Sequence, residues 1–180
     1  MAAVGYPNLN DDDWLWGGDL ESIETTITHG ARSGDPKTHD TAMPRFGLDK
    51  ILEPAQISDV ANYVRSLSHL DVDAAAASRG SAIFADNCAA CHGADAKGNT
   101  EIGAPNLTDA IWLYGNSQQA VVHSIETGRG GMMPAWGGRL DPVSIKMVTL
   151  YVHSLGGGKP EPKKEEGESE HKDEPHEAPK

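Results

Sequence analysis

The sequence is poor in aromatic residues and has no long apolar run. Its 180 residues include 4 Trp, 4 Tyr and 2 Phe, and 38% are hydrophobic. This is little for a large core, so a bound apolar cofactor would supply part of the interior. No apolar run approaches the roughly 20 residues of a membrane-spanning helix. Residues 1–5 also lack the successive basic and apolar regions of a signal peptide.

Basic residues are scarce as well. The chain has 15 Lys and Arg against 27 Asp and Glu, and its formal charge is −12. This charge argues against binding to nucleic acid or to an anionic membrane surface, and it suits a basic protein partner. Acidity that only keeps the protein soluble explains the composition equally well.

Only two cysteines are present, and both belong to the motif Cys88-Ala-Ala-Cys91-His92. C-x-x-C-H is typical of covalent haem attachment, in which each thiol bonds one vinyl group and the histidine binds the iron. A structural zinc site needs about four ligands, and a thioredoxin-like pair is expected beside a βαβ pattern. Neither condition is met, and a disulfide across a two-residue spacer is a poor alternative. The motif therefore predicts one covalent haem c, held by Cys88 and Cys91 with His92 on the iron.

The chain contains two copies of one module. Residues 5–11 recur as residues 103–109, Met43-Pro44 recurs as Met133-Pro134, and the apolar positions of residues 52–67 recur in residues 140–155. The first copy begins after the point where its own C-x-x-C-H belongs. Because such haems are attached outside the cytoplasm, we expect that the chain is a fragment or that its export signal lies upstream.

Apolar spacing predicts an all-α fold with a disordered tail. Gly80, Ile83, Phe84, Asn87 and Cys88 share one helix face, and a glycine in mid-helix favours a close helix crossing. Further helices are predicted at residues 19–30, 53–68 and 117–128 and from Pro142 onward. The sequence therefore predicts that the chain divides into three segments: a partial first domain (1–69), a complete domain (70–156) and an acidic and basic tail (157–180) without a core.

Met133 is the predicted sixth ligand of the haem iron. It lies in Gly130-Gly-Met-Met133-Pro134, where glycine permits close approach of the backbone and proline stiffens the loop. A thioether ligand makes a His-ligated haem a low-spin electron carrier of raised potential. Met132 and His123 are the competing candidates. In the first copy, Met43 stands at the axial position of a first haem, should one be present.

The haem pocket has weaker candidates. The carbonyl of Pro105 is placed to accept the second ring N–H of His92, as metal-bound histidines generally require; an ordinary turn proline is the alternative. Trp112, Trp136 and Arg139 are candidates for walling the haem or bonding its propionates, although each also suits the core or the surface.

The motifs resemble a known family. Residues 74–156 are similar to a class I cytochrome c, and the tandem arrangement resembles the dihaem subunit III of cbb3-type cytochrome c oxidases. The more specific stretches are Pro7-Asn-Leu-x-Asp-x-Asp-Trp-Leu-Trp-Gly-Gly18, Thr26-Ile-x-His-Gly30 and Met43-Pro-x-Phe-Gly47. The resemblance implies tandem class I cytochrome c domains, the first of them incomplete here.

The resemblance also implies a function. In that family, a membrane anchor precedes two haem c domains on the periplasmic side of the bacterial inner membrane. They pass electrons from a donor cytochrome c toward the oxygen-reducing subunit, so other oxidase subunits and the donor are the expected partners. This chain departs from the pattern because it lacks the anchor and the first C-x-x-C-H, which leaves one covalent haem where two are expected.

Three other interpretations are open. A soluble cytochrome c, or the haem subunit of a periplasmic dehydrogenase, is also an electron carrier. A dihaem peroxidase-like enzyme requires an accessible five-coordinate haem, which a methionine ligand opposes. The first copy is also compatible with a haem-free docking module.

Overall fold

The computed structural model describes residues 5–158. Within this range the regular elements are six helices, and pairing between strands is limited to isolated bridges, which confirms the predicted all-α class. The predicted tail lies outside the described residues from residue 159 onward. The helices are α1 Leu20–His29, α2 Pro54–Leu67, α3 Ala74–Asn87, α4 Ala89–His92, α5 Gln118–Thr127 and α6 Pro142–Ser154.

Side-chain caps fix where the longer helices begin. Asp19, Ser117 and Asp141 accept hydrogen bonds from backbone N–H groups in the first turns of α1, α5 and α6. Such groups have no partner inside the helix, so a capping oxygen stabilises the helix start. Pro54 and Pro142 occupy first-turn positions of α2 and α6, where the missing N–H costs nothing.

The helices pack as two groups that each draw on both repeats. Helix α2 packs against α3 and α5, whereas α1 packs against α6. The first group buries Phe46, Leu52, Ile57, Val60, Ala61, Val64, Phe84, Ala96, Val121 and Ile125. The second group buries Ile23, Ile27 and Ile145, with Trp14, Met133, Trp136, Leu140 and Val152 packed against them. Helix α2, the C-terminal helix of the first repeat, therefore packs against α3, the helix of the second repeat that leads into the cysteine motif.

Helices α2 and α3 cross closely at Gly80, as its position in the sequence predicts. A Cβ atom on Gly80 would lie 2.2 Å from the carbonyl oxygen of Asp59 and 2.9 Å from the Cβ of Tyr63. Only glycine permits this approach without displacing the α2 backbone. Beside the crossing, Arg79 on α3 donates two hydrogen bonds to the Asp59 carboxylate.

Helix α6 is much less covered than α2. Val143, Met147, Leu150 and Tyr151 are all more than half exposed, although Tyr151 is the repeat counterpart of Tyr63. Among residues 5–158, no helix combines the length and the apolar content that crossing a membrane requires.

Candidate haem site

The C-x-x-C-H motif consists of Cys88, which joins α3 to α4, and of the short helix α4 itself. Cys88 ends α3 and begins α4, its N–H donating to the Phe84 carbonyl at 2.8 Å, and the His92 N–H donates back to the Cys88 carbonyl at 2.9 Å. The four-residue helix α4 thus keeps both thiols and the imidazole within one turn. Both cysteines are free thiols, as attachment to two vinyl groups requires.

The imidazole of His92 is oriented by a loop carbonyl. Nδ1 lies 3.0 Å from the Pro105 oxygen, a distance at which the N–H donates a hydrogen bond. This bond fixes the tautomer and leaves Nε2 as the metal-binding atom. Partial burial lowers the pKa of His92, and the bond to Pro105 opposes that shift. The ring is therefore favoured in its neutral form, which is the form that binds a metal.

The two thiols differ in their surroundings. Burial, with a smaller contribution from nearby Cys91, raises the pKa of Cys88 to about 11. Cys88 is therefore a neutral thiol at pH 7, whereas Cys91 is exposed to solvent. Cys88 faces the apolar interior next to Phe84, and Cys91 stands at its edge.

A cavity of about 460 Å³ adjoins the motif. Its volume lies in the range of sites for organic ligands and cofactors. Helices α2, α3 and α5, together with the loop around Pro105, form its wall. The apolar lining includes Val60, Val64, Phe84, Leu107, Trp112, Val121 and Ile125. The two thiols, a neutral imidazole and this apolar cavity fit a covalently attached haem.

The predicted site residues divide between the two helix groups. The cavity is lined by Cys88, Cys91, His92, Pro105, Trp112 and Met43. Met133 and Trp136 instead pack against the α1–α6 group, where the Arg139 guanidinium lies 5.5 Å from the Trp136 ring centroid. Met132 is 74% exposed, and His123 is exposed on α5. The structure thus brings Met43, and not Met133, to the cavity beside His92.

Arg129 lines the cavity but is absent from the residues singled out in the sequence. Its guanidinium lies 4.2 Å from the centroid of the Tyr114 ring, and its Nε donates to the Ser124 hydroxyl at 3.0 Å. Arg32 also reaches the cavity and donates from Nε to the Gly131 carbonyl at 2.6 Å. Two cations at an apolar cavity suit carboxylate groups such as haem propionates. The sequence signal that could have pointed to Arg129 is its position directly after Gly128, which ends α5.

The fold and the site have counterparts among known proteins. Residues 75–152 match the family described as cytochrome c oxidase, cbb3-type, subunit III, and residues 1–68 match the family described as cytochrome c. Cbb3-type cytochrome c oxidase subunit FixP of Bradyrhizobium sp. (strain ORS 278) is 61% identical over 161 residues, which are 87% of this chain and 54% of the relative.

Subunit CcoP of Cereibacter sphaeroides is 56% identical over 156 residues, 86% of this chain and 54% of its own length. Subunit CcoP of Rhodobacter capsulatus is 51% identical over 164 residues, 86% of this chain and 55% of its own length. The chain spans about half the length of these relatives. Cytochrome c membership implies covalent haem c, in agreement with the motif. Residues 1–68 thus belong to the cytochrome c family, and residues 75–152 belong to the family of subunit III of cbb3-type cytochrome c oxidases.

Proposed function

We propose that this chain is an electron-transfer module that carries haem c and passes electrons from a donor cytochrome c toward the oxygen-reducing subunit of a cbb3-type terminal oxidase. The observation that carries the proposal is the turn from Cys88 to His92, whose imidazole is held by Pro105 at the mouth of an apolar cavity. A haem c in this site supplies a one-electron iron couple.

The residues of the chain would attach the haem, orient the histidine that binds its iron and shield the iron from water. Cys88 and Cys91 anchor the group, and His92 presents Nε2 because its other nitrogen is bound to the Pro105 carbonyl. The apolar wall would keep water away from a bound haem, and the thioether of Met43, which lines the same cavity, would close the iron to substrates. This arrangement favours electron transfer over oxygen or peroxide chemistry, so reduction of oxygen belongs to another subunit.

Partners and location follow from the same proposal. The relatives carry the name of an oxidase subunit, which supports assembly with other oxidase subunits on the periplasmic side of the inner membrane. We expect membrane association through a segment that is not among the 180 residues. The net charge of −12 suits a basic donor cytochrome, and no nucleic-acid partner is expected.

The test begins with the 180-residue chain produced with the machinery that attaches haem c. The expected product has the mass of the chain plus one haem and a low-spin spectrum. It is reduced rapidly by a reduced class I cytochrome c, and this rate falls with rising salt. It does not turn over peroxide. A high-spin ferric haem with peroxide turnover would favour the peroxidase-like alternative, and a chain without covalent haem would refute the proposal.

A further inference from the structure

The first repeat has an extra segment directly after α1. Residues 30–43 correspond to residues 128–133 of the second repeat, which form a shorter connection. The backbone of the extra segment folds back on the end of α1. The Arg32 N–H donates to the His39 carbonyl at 2.7 Å, and the His39 N–H donates to the Gly30 carbonyl at 3.2 Å. The segment thus holds His39 beside α1, at a position that the shorter connection lacks.

The ring of His39 is stacked on the indole of Trp16. The two centroids are 4.2 Å apart and the planes differ by 10°, and Nε2 of His39 lies 3.0 Å from the hydroxyl oxygen of Thr26 on α1. The same indole packs against Gly103, where a Cβ atom would lie 2.3 Å from Cζ2 of Trp16. Gly103 lines the cavity beside His92. One aromatic side chain therefore connects His39 to the cavity wall.

In the described chain, the second repeat packs the equivalent aromatic ring without a stacked imidazole. Tyr114, the counterpart of Trp16, packs against Gly5, where a Cβ atom would lie 3.3 Å from Cε1 of the tyrosine. The guanidinium of Arg129 lies 4.2 Å from the centroid of the Tyr114 ring. An aromatic ring is therefore held at this position without help from a histidine. His39 adds a titratable group to an arrangement that does not need it as a support.

Arg32 links the extra segment to the cavity. Its guanidinium lies 5.9 Å from the centroid of the Trp16 ring, and its Nε donates to the Gly131 carbonyl at 2.6 Å. Its Nη1 donates to the Thr41 carbonyl. Arg32, Thr41 and Gly131 all line the cavity. A positive charge on His39 would thus be added next to a cation that is already fixed at the cavity.

The surroundings of His39 favour its neutral form. Burial, followed by the positive charges of Arg32 and His29, lowers the pKa of His39. His29 on α1 has its Nδ1 3.0 Å from Oδ1 of Asp35, which belongs to the extra segment. The hydroxyl and the indole that touch the His39 ring are uncharged. Any fall in the positive charge at the cavity therefore makes protonation of His39 more favourable.

We infer that His39 is a proton-binding site whose occupancy is linked to the oxidation state of the haem. The inference rests on the proposed haem function. When the iron gains an electron from the donor, the positive charge at the cavity falls by one, and His39 takes up a proton from the solvent. When the iron passes the electron on, His39 releases the proton. The coupling is reciprocal, so protonation of His39 favours the reduced iron.

The first experiment measures the midpoint potential of the haem-loaded 180-residue chain between about pH 5 and 8, where imidazoles change charge. The potential of the unsubstituted protein should fall as the pH rises and become constant once His39 is neutral. In His39→Gln the side chain binds no proton in this range but can still bond to the Thr26 hydroxyl. This variant should lose the pH dependence and keep the potential that the unsubstituted protein has at high pH.

The matched control is His123→Gln, which removes an exposed histidine of α5. Its potential should follow the pH in the same way as that of the unsubstituted protein. A potential that depends equally on pH in His39→Gln and in the unsubstituted protein would overturn the inference.

A second measurement requires no substitution. The ring resonances of His39, identified by their contacts with the indole protons of Trp16, are followed by NMR as the pH is varied. His39 should bind its proton at a higher pH in the ferrous protein than in the ferric protein, a difference that a merely structural role would not produce. Titration at the same pH in both oxidation states would contradict the inference.

Covalent haem content separates failure of this inference from failure of the proposed function. A chain without covalent haem would refute the haem proposal and the linkage together. A chain that carries haem at Cys88 and Cys91, with a potential independent of pH, would refute only the role of His39.

Discussion

Arg79 and Asp59 are joined by two hydrogen bonds, Nε to Oδ2 at 2.8 Å and Nη2 to Oδ1 at 2.7 Å. The contact ties the helix that leads into the cysteine motif to a helix of the other repeat. Two parallel bonds to a carboxylate fix geometry as well as charge. The hydrogen bonds from Arg79 hold the pKa of Asp59 below its usual range.

This pair predicts an acid-sensitive contribution to stability. Because the folded-state pKa of Asp59 is lowered, the contribution is complete above the unfolded pKa of about 3.9 and is lost as pH falls through the folded value. In Asp59→Asn, thermal unfolding should depend less steeply on pH below about 4. Asp49→Asn, which removes an exposed carboxylate paired with Arg45, is the control. An equal loss of pH dependence in both variants would contradict the prediction.

Gly80→Ala should destabilise the haem-binding group. The new methyl group would meet the Asp59 carbonyl at 2.2 Å, so α2 and α3 must separate. Overpacking of this kind costs about 1–3 kcal/mol, measured as the free energy of unfolding in urea. In Gly138→Ala the methyl group would meet no atom within 4 Å, and the stability should change little. A stable Gly80→Ala protein would mean that the helices do not cross there.

Asn62→Leu tests why α3 packs against α2 and not against α6. Leucine is the residue that α6 carries at the equivalent position, Leu150. The substitution removes the acceptor of the Asp73 N–H and the donor to the Ser58 carbonyl. An unpaired buried group costs about 1–3 kcal/mol, so a loss of that size is expected in urea unfolding. Leu150→Asn, at a site 57% exposed, should be nearly neutral. Similar effects of both substitutions would argue that Asn62 is not a reason for the packing of α3 against α2.

His92→Ala should abolish stable incorporation of haem, since no other group stands at the C-x-x-C-H turn to bind the iron. The measurement is covalent haem per chain, from the mass of the purified protein. His123→Ala, at an exposed position on α5, should leave the haem content unchanged. A normal haem yield in His92→Ala would count against the whole site.

Much of the local structure could be predicted from the sequence, whereas the pairing of helices could not. Ser117, Pro142 and Gly80 carry local signals for a cap, a helix start and a close crossing, and the structure has all three. The apolar faces of α2 and α6 are nearly the same, so periodicity cannot tell which of them α3 accepts. The distinguishing residues, Asp59 and Asn62, acquire meaning only when their partners in space are known.

The pairing of α1 with α6 and of α2 with α3 and α5 also affects the order in which the chain can fold. Helices α2, α3, α4 and α5 are contiguous in sequence, so the cavity group can close before α1 and α6 meet. Helix α1 is made first, yet its partner α6 is the last helix in the described chain. Contacts between distant segments form slowly because the intervening chain must be ordered first. Haem attachment can therefore precede the docking of α1, and cleavage between the two repeats would not release two intact domains.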